Sequence, residues 1–169
     1  MKAHTMKHQE LVYLEHPSVL GTLTLVSSGK GICGIYFHDQ RNFKGTSGWQ
    51  KVAHHPQLDL AAQQLDEYFS GRRQRFELPL DLQVGGTAFQ QSVWQELLNI
   101  GFGTTSSYGR HAELIRRPRA VRAVGGAIGR NPISIVVPCH RVLGSSGALT
   151  GYDGGLDRKK FLLELEGVL

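Results

Sequence analysis

The stretch Ile133-Ser134-Ile135-Val136-Val137-Pro138-Cys139-His140-Arg141 constrains this chain more than any other. A short, mostly apolar and β-branched run leads through a proline into an adjacent cysteine and histidine. A run of this length reads as a buried strand, with the cysteine at its end. A thiolate is an intrinsically strong nucleophile whose population is set by its surroundings, so such a placement suits chemistry. Taken alone, the same pair also fits an inert buried cysteine beside a hydrogen-bonded core histidine.

Charge narrows the choice of partner. The net charge is +5, and the excess sits in the second half: residues 1–85 hold nine Lys/Arg against eight Asp/Glu, whereas residues 86–169 hold ten against six. Between Arg110 and Arg141 seven arginines (110, 116, 117, 119, 122, 130, 141) face one acid, Glu113. Every cation there is arginine, the residue suited to phosphate forks and base contacts, so an anionic polymer is the expected partner. Two cysteines far apart give neither a disulfide framework nor a zinc pattern, which fits a reducing cytoplasm. No apolar run approaches a membrane span, and the polar opening residues hold no signal-type segment. His4, His8, His54 and His55 read as surface histidines, and no metal or cofactor is expected.

In chain order, alternating apolar residues predict strands over 10–16 and 20–26 and a third over 32–37, then a polar loop over 38–56. Leu58, Ala62, Leu65, Tyr68 and Phe69 recur at helical spacing, with Gly71 as the stop. Residues 72–86 form an extended connector ending in Gly85-Gly86, a boundary between a domain over 1–85 and one over 86–169. Thr87 and Gln90 fit a capping box for a helix with Phe89, Val93, Leu97 and Ile100 inward. A second helix starts near Ser106 or Ser107, and a third at Pro118, whose fixed dihedral suits a first turn. Two short helices joined by a tight turn make a helix-turn-helix. The third helix carries small residues, Ala120, Ala123, Gly126 and Ala127, and one long one, Arg122, a surface suited to close approach to a narrow groove. A hairpin over 143–149 and a last helix from Gly154-Gly155, with Leu156, Phe161, Leu163 and Leu165 inward, complete a winged helix. The first domain shows no chemistry of its own.

Together with Pro138-Cys139-His140-Arg141-Val142, three segments carry a family resemblance: Arg122-Ala123-Val124-Gly125-Gly126-Ala127-Ile128-Gly129-Arg130-Asn131-Pro132, Gly151-Tyr152-Asp153-Gly154-Gly155-Leu156 and Leu162-Leu163-Glu164-Leu165-Glu166-Gly167. From about Gly86 to Gly167 the chain resembles the O6-alkylguanine-DNA alkyltransferases. These repair proteins move an alkyl group from damaged guanine irreversibly onto their own cysteine. The resemblance implies an α+β fold, a small α/β, ribonuclease-H-like first domain followed by a mainly helical winged-helix DNA-binding domain. It also implies a monomer acting once on double-stranded DNA that carries O6-alkylguanine, entered from the minor groove, with O4-alkylthymine as a further substrate to test.

The same resemblance implies residue roles. Cys139 is the acceptor, His140 takes its proton through a water, and Glu166 orients the imidazole. Asn131 ties the region together by hydrogen bonds. Tyr108 protonates the departing guanine and helps turn the nucleotide out. Backbone groups of Cys139, Val142 and Asp153 bind the base. Arg122 slides into the stack, Ala123, Gly126 and Ala127 lie against the groove, and Arg130 and Arg141 join the DNA contacts. Asp153 departs from the family pattern, where a small neutral residue is common. A carboxylate near the pocket opposes both thiolate formation and DNA phosphate. His111 and Gly101 depart too, at positions that concern helix packing.

Overall fold

The computed structural model describes residues 10–169. His4 and His8 lie outside the described residues. Strands β1 (Val12–His16), β2 (Leu23–Ser27) and β3 (Ile32–Phe37) form an antiparallel meander, and a two-residue β4 (Gln50–Lys51), inside the expected loop, pairs in parallel with β1. The sheet order is β3-β2-β1-β4. Helix α1 (Pro56–Phe69) packs on it through Leu58, Ala61, Leu65 and Tyr68. Its N-cap is His55, whose ring accepts from the Gln57 backbone, so this histidine is a helix cap and not a free surface group. Among the described residues no group of three or more His, Cys, Asp or Glu could hold a metal, and no helix is long and apolar enough to cross a membrane.

The second half is helical. Thr87 caps α2 (Ala88–Leu97) in a reciprocal capping box with Gln90. Each partner satisfies a backbone donor that the first helical turn leaves orphaned. Ser107 caps α3 (Tyr108–Leu114). Helix α4 (Val121–Gly129) starts three residues later than the proline predicts. Pro118 sits instead in a tight turn closed by Ala120 N–H donating to the Arg117 carbonyl at 2.9 Å. Its preset φ serves a turn there as well as it would serve a helix. A short parallel pair, β5 (Ser106–Ser107) with β6 (Val142–Leu143), ties the start of α3 to the segment just after the cysteine. The expected hairpin over 143–149 has no return strand. Its loop closes on Gly144 N–H to the Ala148 carbonyl at 3.0 Å, while β6 takes β5 as partner. The last helix, α5 (Leu156–Leu165), buries Leu162 and Leu163 and leaves Leu156 exposed.

The apolar run before Cys139 is not a strand. Only Ile133 bridges to Ile35 on the edge of β3, and the chain then turns, with Ile135 at φ +73°. A β-branched residue in the left-handed region costs on the order of 1–3 kcal/mol. Asn131 helps hold that conformation: its amide donates to the Val137 carbonyl (2.7 Å) and accepts from Ile133 N–H (3.0 Å). The run is apolar because the turn is buried, not because it is extended. One apolar cluster runs from the sheet through this turn to α5, so the two halves share a core.

Candidate active site

Cys139, His140 and Arg141 form one turn of 3-10 helix, all three buried. The partners come from distant elements. The C-cap of α5 is Glu166, whose Oε2 lies 2.7 Å from His140 Nε2. The same carboxylate accepts from Arg141 Nε (2.7 Å) and Nη2 (3.1 Å) and from the Tyr68 hydroxyl of α1 (2.6 Å). Burial works against this carboxylate, but the hydrogen bonds from His140, Arg141 and Tyr68 outweigh it and pull it down to about 2. Glu166 is therefore ionised and accepts only. That requires the hydrogen of a neutral His140 to sit on Nε2, which leaves the Nδ1 lone pair free. Nδ1 is buried with no protein partner. Burial holds the imidazole below its ordinary range although Glu166 opposes the shift, so the ring rests neutral and able to accept a proton.

Burial pushes the Cys139 thiol up to about 11, and Asp153 adds to the effect. A hydrogen bond with Asn131 and the charge of Lys159 act in the opposite sense. Lys159 is fully buried on α5, and its ammonium donates to the carbonyls of Val142 (2.7 Å), Thr150 (3.0 Å) and Gly151 (3.3 Å). Burial lowers it to about 8. It braces the segment after the cysteine and places a cation near the sulfur.

A cavity of about 270 Å³ includes Cys139 in its lining, with Tyr108 at the start of α3, Gly125, Gly126 and Arg130 around α4, and Gly151, Tyr152 and Asp153 on the following loop. Arg41 and Asn42 from the first half complete the wall. The Tyr108 hydroxyl donates to the Thr150 carbonyl at 3.1 Å, and burial raises its pKa. Outside the cavity, Arg122 and Ala123 are exposed on α4. Six of the seven clustered arginines (110, 116, 117, 119, 122, 130) are exposed as well.

Two expected contacts fail. Arg141 is 7% exposed and engages Glu166 and the Ile100 carbonyl, so it cannot meet a DNA phosphate. Ala127 faces inward, where its carbonyl accepts from Trp94 Nε1 at 2.8 Å, so its side chain does not line a groove-facing surface. Val142 is buried, and its carbonyl accepts from Lys159. His111, another departure, is a core histidine whose Nε2 lies 3.0 Å from the Val93 carbonyl. Sequence reasoning missed Tyr68, Lys159 and Asn42. Helical periodicity marks Tyr68 as inward, yet nothing in it points to a carboxylate 98 residues away. A lysine in a charged helix reads as solvated.

Two family models match the chain: the 6-O-methylguanine DNA methyltransferase ribonuclease-like domain over residues 11–82, and the DNA binding domain of the same family over residues 88–168. The methylated-DNA–protein-cysteine methyltransferase of Haemophilus influenzae is 43% identical over 158 residues, covering 94% of this chain and 87% of its own. That of Mycobacterium leprae is 48% identical over 149 residues, 88% of each. The crystal structure of Mycobacterium tuberculosis OGT in complex with DNA superposes with a TM-score of 0.83 at 45% identity, covering 92% of both chains.

Proposed function

The chain belongs to the 6-O-methylguanine DNA methyltransferase family, and we propose that Cys139 is the residue on which its chemistry ends. It is a DNA-repair methylated-DNA–protein-cysteine methyltransferase, transferring the alkyl group of O6-alkylguanine to a cysteine of its own. The observation that carries the assignment to Cys139 is the buried His140–Glu166 pair beside it, at 2.7 Å, with the free ring nitrogen unclaimed by protein. Cys33, the other thiol, is buried and pushed up to about 12 with no histidine bonded to a carboxylate beside it.

In this reading, binding turns the damaged guanine out of the duplex into the cavity over Cys139. The thiol gives its proton, through a water, to His140 Nδ1, and the imidazolium is held by Glu166. The sulfur attacks the alkyl carbon, an S–C bond forms and the C–O bond breaks. The departing guanine, gaining negative charge, takes a proton from Tyr108; a phenol is a competent acid only toward a base of that strength. The products are an alkyl thioether and an intact guanine. Cys33 lies in the first sheet, and a second thiol attacks a disulfide but not an alkyl thioether, so the protein works once.

The small exposed face of α4 with Arg122 supports minor-groove entry, where a wedge can hold open the space left by a turned-out nucleotide. We read residues 1–85 and 86–169 as the two domains, and the protein as a monomer on DNA. Two unpaired cysteines support a reducing compartment such as the cytoplasm. The test is intact-protein mass before and after exposure to an O6-methylguanine duplex. One methyl per chain, mapping to the peptide of Cys139, is expected. Cys33→Ser should transfer normally and Cys139→Ser not at all. Residual transfer by Cys139→Ser within about tenfold of wild type overturns the assignment.

A further inference from the structure

Asp153 presents a problem that the catalytic turn does not solve. It lines the cavity with Cys139, and of the groups acting on the sulfur it is the carboxylate that opposes a thiolate; Asn131 and Lys159 favour one, and the phenols of Tyr108 and Tyr152 also face it. The solution comes from the other half of the chain. Asn42 N–H lies 3.1 Å from both carboxylate oxygens of Asp153, and its side-chain amide donates to Oδ1 at 2.7 Å. The same amide donates to the Gly129 carbonyl at the end of α4 (3.0 Å), while Arg41 N–H donates to the Asp153 carbonyl (3.2 Å). The loop that holds Asn42 is itself braced, since Phe43 stacks on Tyr36 of β3 with ring centroids 4.6 Å apart. A further brace lies just beyond Asp153. A Cβ on Gly154 would fall 2.7 Å from the Phe37 ring, so glycine alone lets this segment approach the sheet so closely.

We propose that Asn42, on the first domain, is a positioning residue for alkyl transfer: it ties the Asp153 carboxylate down at the cavity wall and thereby protects thiolate formation at Cys139. Both carboxylate oxygens are occupied by N–H dipoles from Asn42, which solvate the charge where it stands and keep it from turning over the sulfur. The contact to Gly129 couples the same clamp to the helix that carries Arg122. The first domain thus supplies one wall of the substrate cavity and the group that makes an acid tolerable there. This inference rests on Cys139 being the alkyl acceptor.

The experiment follows the pH dependence of transfer from free O6-benzylguanine, a probe that needs no base flipping, in the full chain. Three proteins are compared: wild type, Asn42→Ala and Asn42→Ala/Asp153→Ala. Asn42→Ala should move the profile to higher pH and slow transfer at pH 7 by roughly tenfold, the consequence of about one pH unit. In the double variant the upward shift of the pH profile should vanish, whatever the rate at its plateau, because removing the carboxylate removes what Asn42 controls. An unmoved profile in Asn42→Ala, or a double variant whose profile is shifted as far as that of the single one, overturns the proposal; the second result makes Asn42 a merely structural contact. Should Asn42→Ala fail to fold, Asn42→Ser keeps a hydroxyl donor and is expected to show a smaller upward shift, again erased by Asp153→Ala; no shift overturns the proposal. If wild type itself places no alkyl group on Cys139, the reading of the site fails. If wild type transfers and only the Asn42 profiles disagree, the role of Asn42 alone fails.

Discussion

Burial raises the Cys139 thiol to about 11, so little of it is thiolate at neutral pH. The proposed transfer therefore depends on where its proton can go, and His140 is the acceptor we propose within the turn. Glu166 favours the protonated ring, against a burial effect that disfavours it. In Glu166→Gln the neutral amide withdraws that support, the ring accepts a proton less readily, and the thiolate forms only at higher pH. Transfer at neutral pH should fall and the pH-rate profile should move upward, measured with free O6-benzylguanine; an unchanged profile contradicts the relay. Arg141 makes a different prediction from the one its place in an arginine run invites. Arg141→Ala strips two hydrogen bonds from a buried carboxylate, and breaking a buried pair in this way costs about 3–5 kcal/mol. Urea unfolding should show that loss. Ordinary stability with weakened DNA affinity would return Arg141 to the DNA surface.

Among the elements, α4 and the turn before it carry the proposed DNA contact. Its outward face is small at Ala123 and Gly126, its inward face packs Val124, Ala127 and Ile128, and Arg122 is the long side chain that stands out from it. Arg122→Ala should slow repair of a stacked duplex base much more than reaction with the free base, since only the duplex requires flipping. Equal losses on both substrates would remove the role. With six arginines exposed and about four of them on phosphates, log affinity against log salt should have a slope of about −3.6. A slope near zero would contradict the electrostatic reading.

Across the whole molecule, contacts between the halves converge on the site, among them Ile35 with Ile133, Asn42 with Asp153 and Gly129, and Tyr68 with Glu166. Glu166 also links the catalytic turn to α5, so its ionisation is coupled to the fold. Its folded pKa, about 2, lies below the ordinary 4.5. The stabilisation is therefore fully present above about pH 4.5 and is lost as pH falls through the folded value. The shift corresponds to about 3 kcal/mol. Denaturant unfolding between pH 5 and pH 2 should show wild type losing stability on that scale relative to Glu166→Gln, which has no carboxylate to titrate at this position. Parallel losses in both proteins would mean that Glu166 is not coupled to folding.

Local signals were legible wherever a short range of residues settles the energetics. The Thr87–Gln90 box satisfies its own backbone donors, α1 declares its inward face by spacing, and the cysteine, histidine and final glutamate stand in a spacing that a resemblance can carry. Where burial is compensated from far along the chain, sequence alone misdirected. The run from Ile133 to Val137 is as apolar as a strand, but its backbone groups are satisfied through a turn on Asn131 and the edge of β3. Arg141 looks like one of seven DNA-facing arginines until Glu166 arrives from 25 residues away, and Lys159 looks solvated until three carbonyls close on it. Periodicity reports which positions leave water. It does not report what receives a buried charge, because the desolvation cost is offset by partners that only the tertiary fold brings within hydrogen-bonding distance. Composition and motif thus determined the class of chemistry and singled out Cys139 as the proposed acceptor. The tertiary structure decided which arginines stay exposed, which one braces the carboxylate, and that Arg41 and Asn42 of the first half reach the wall of the cavity beside Cys139.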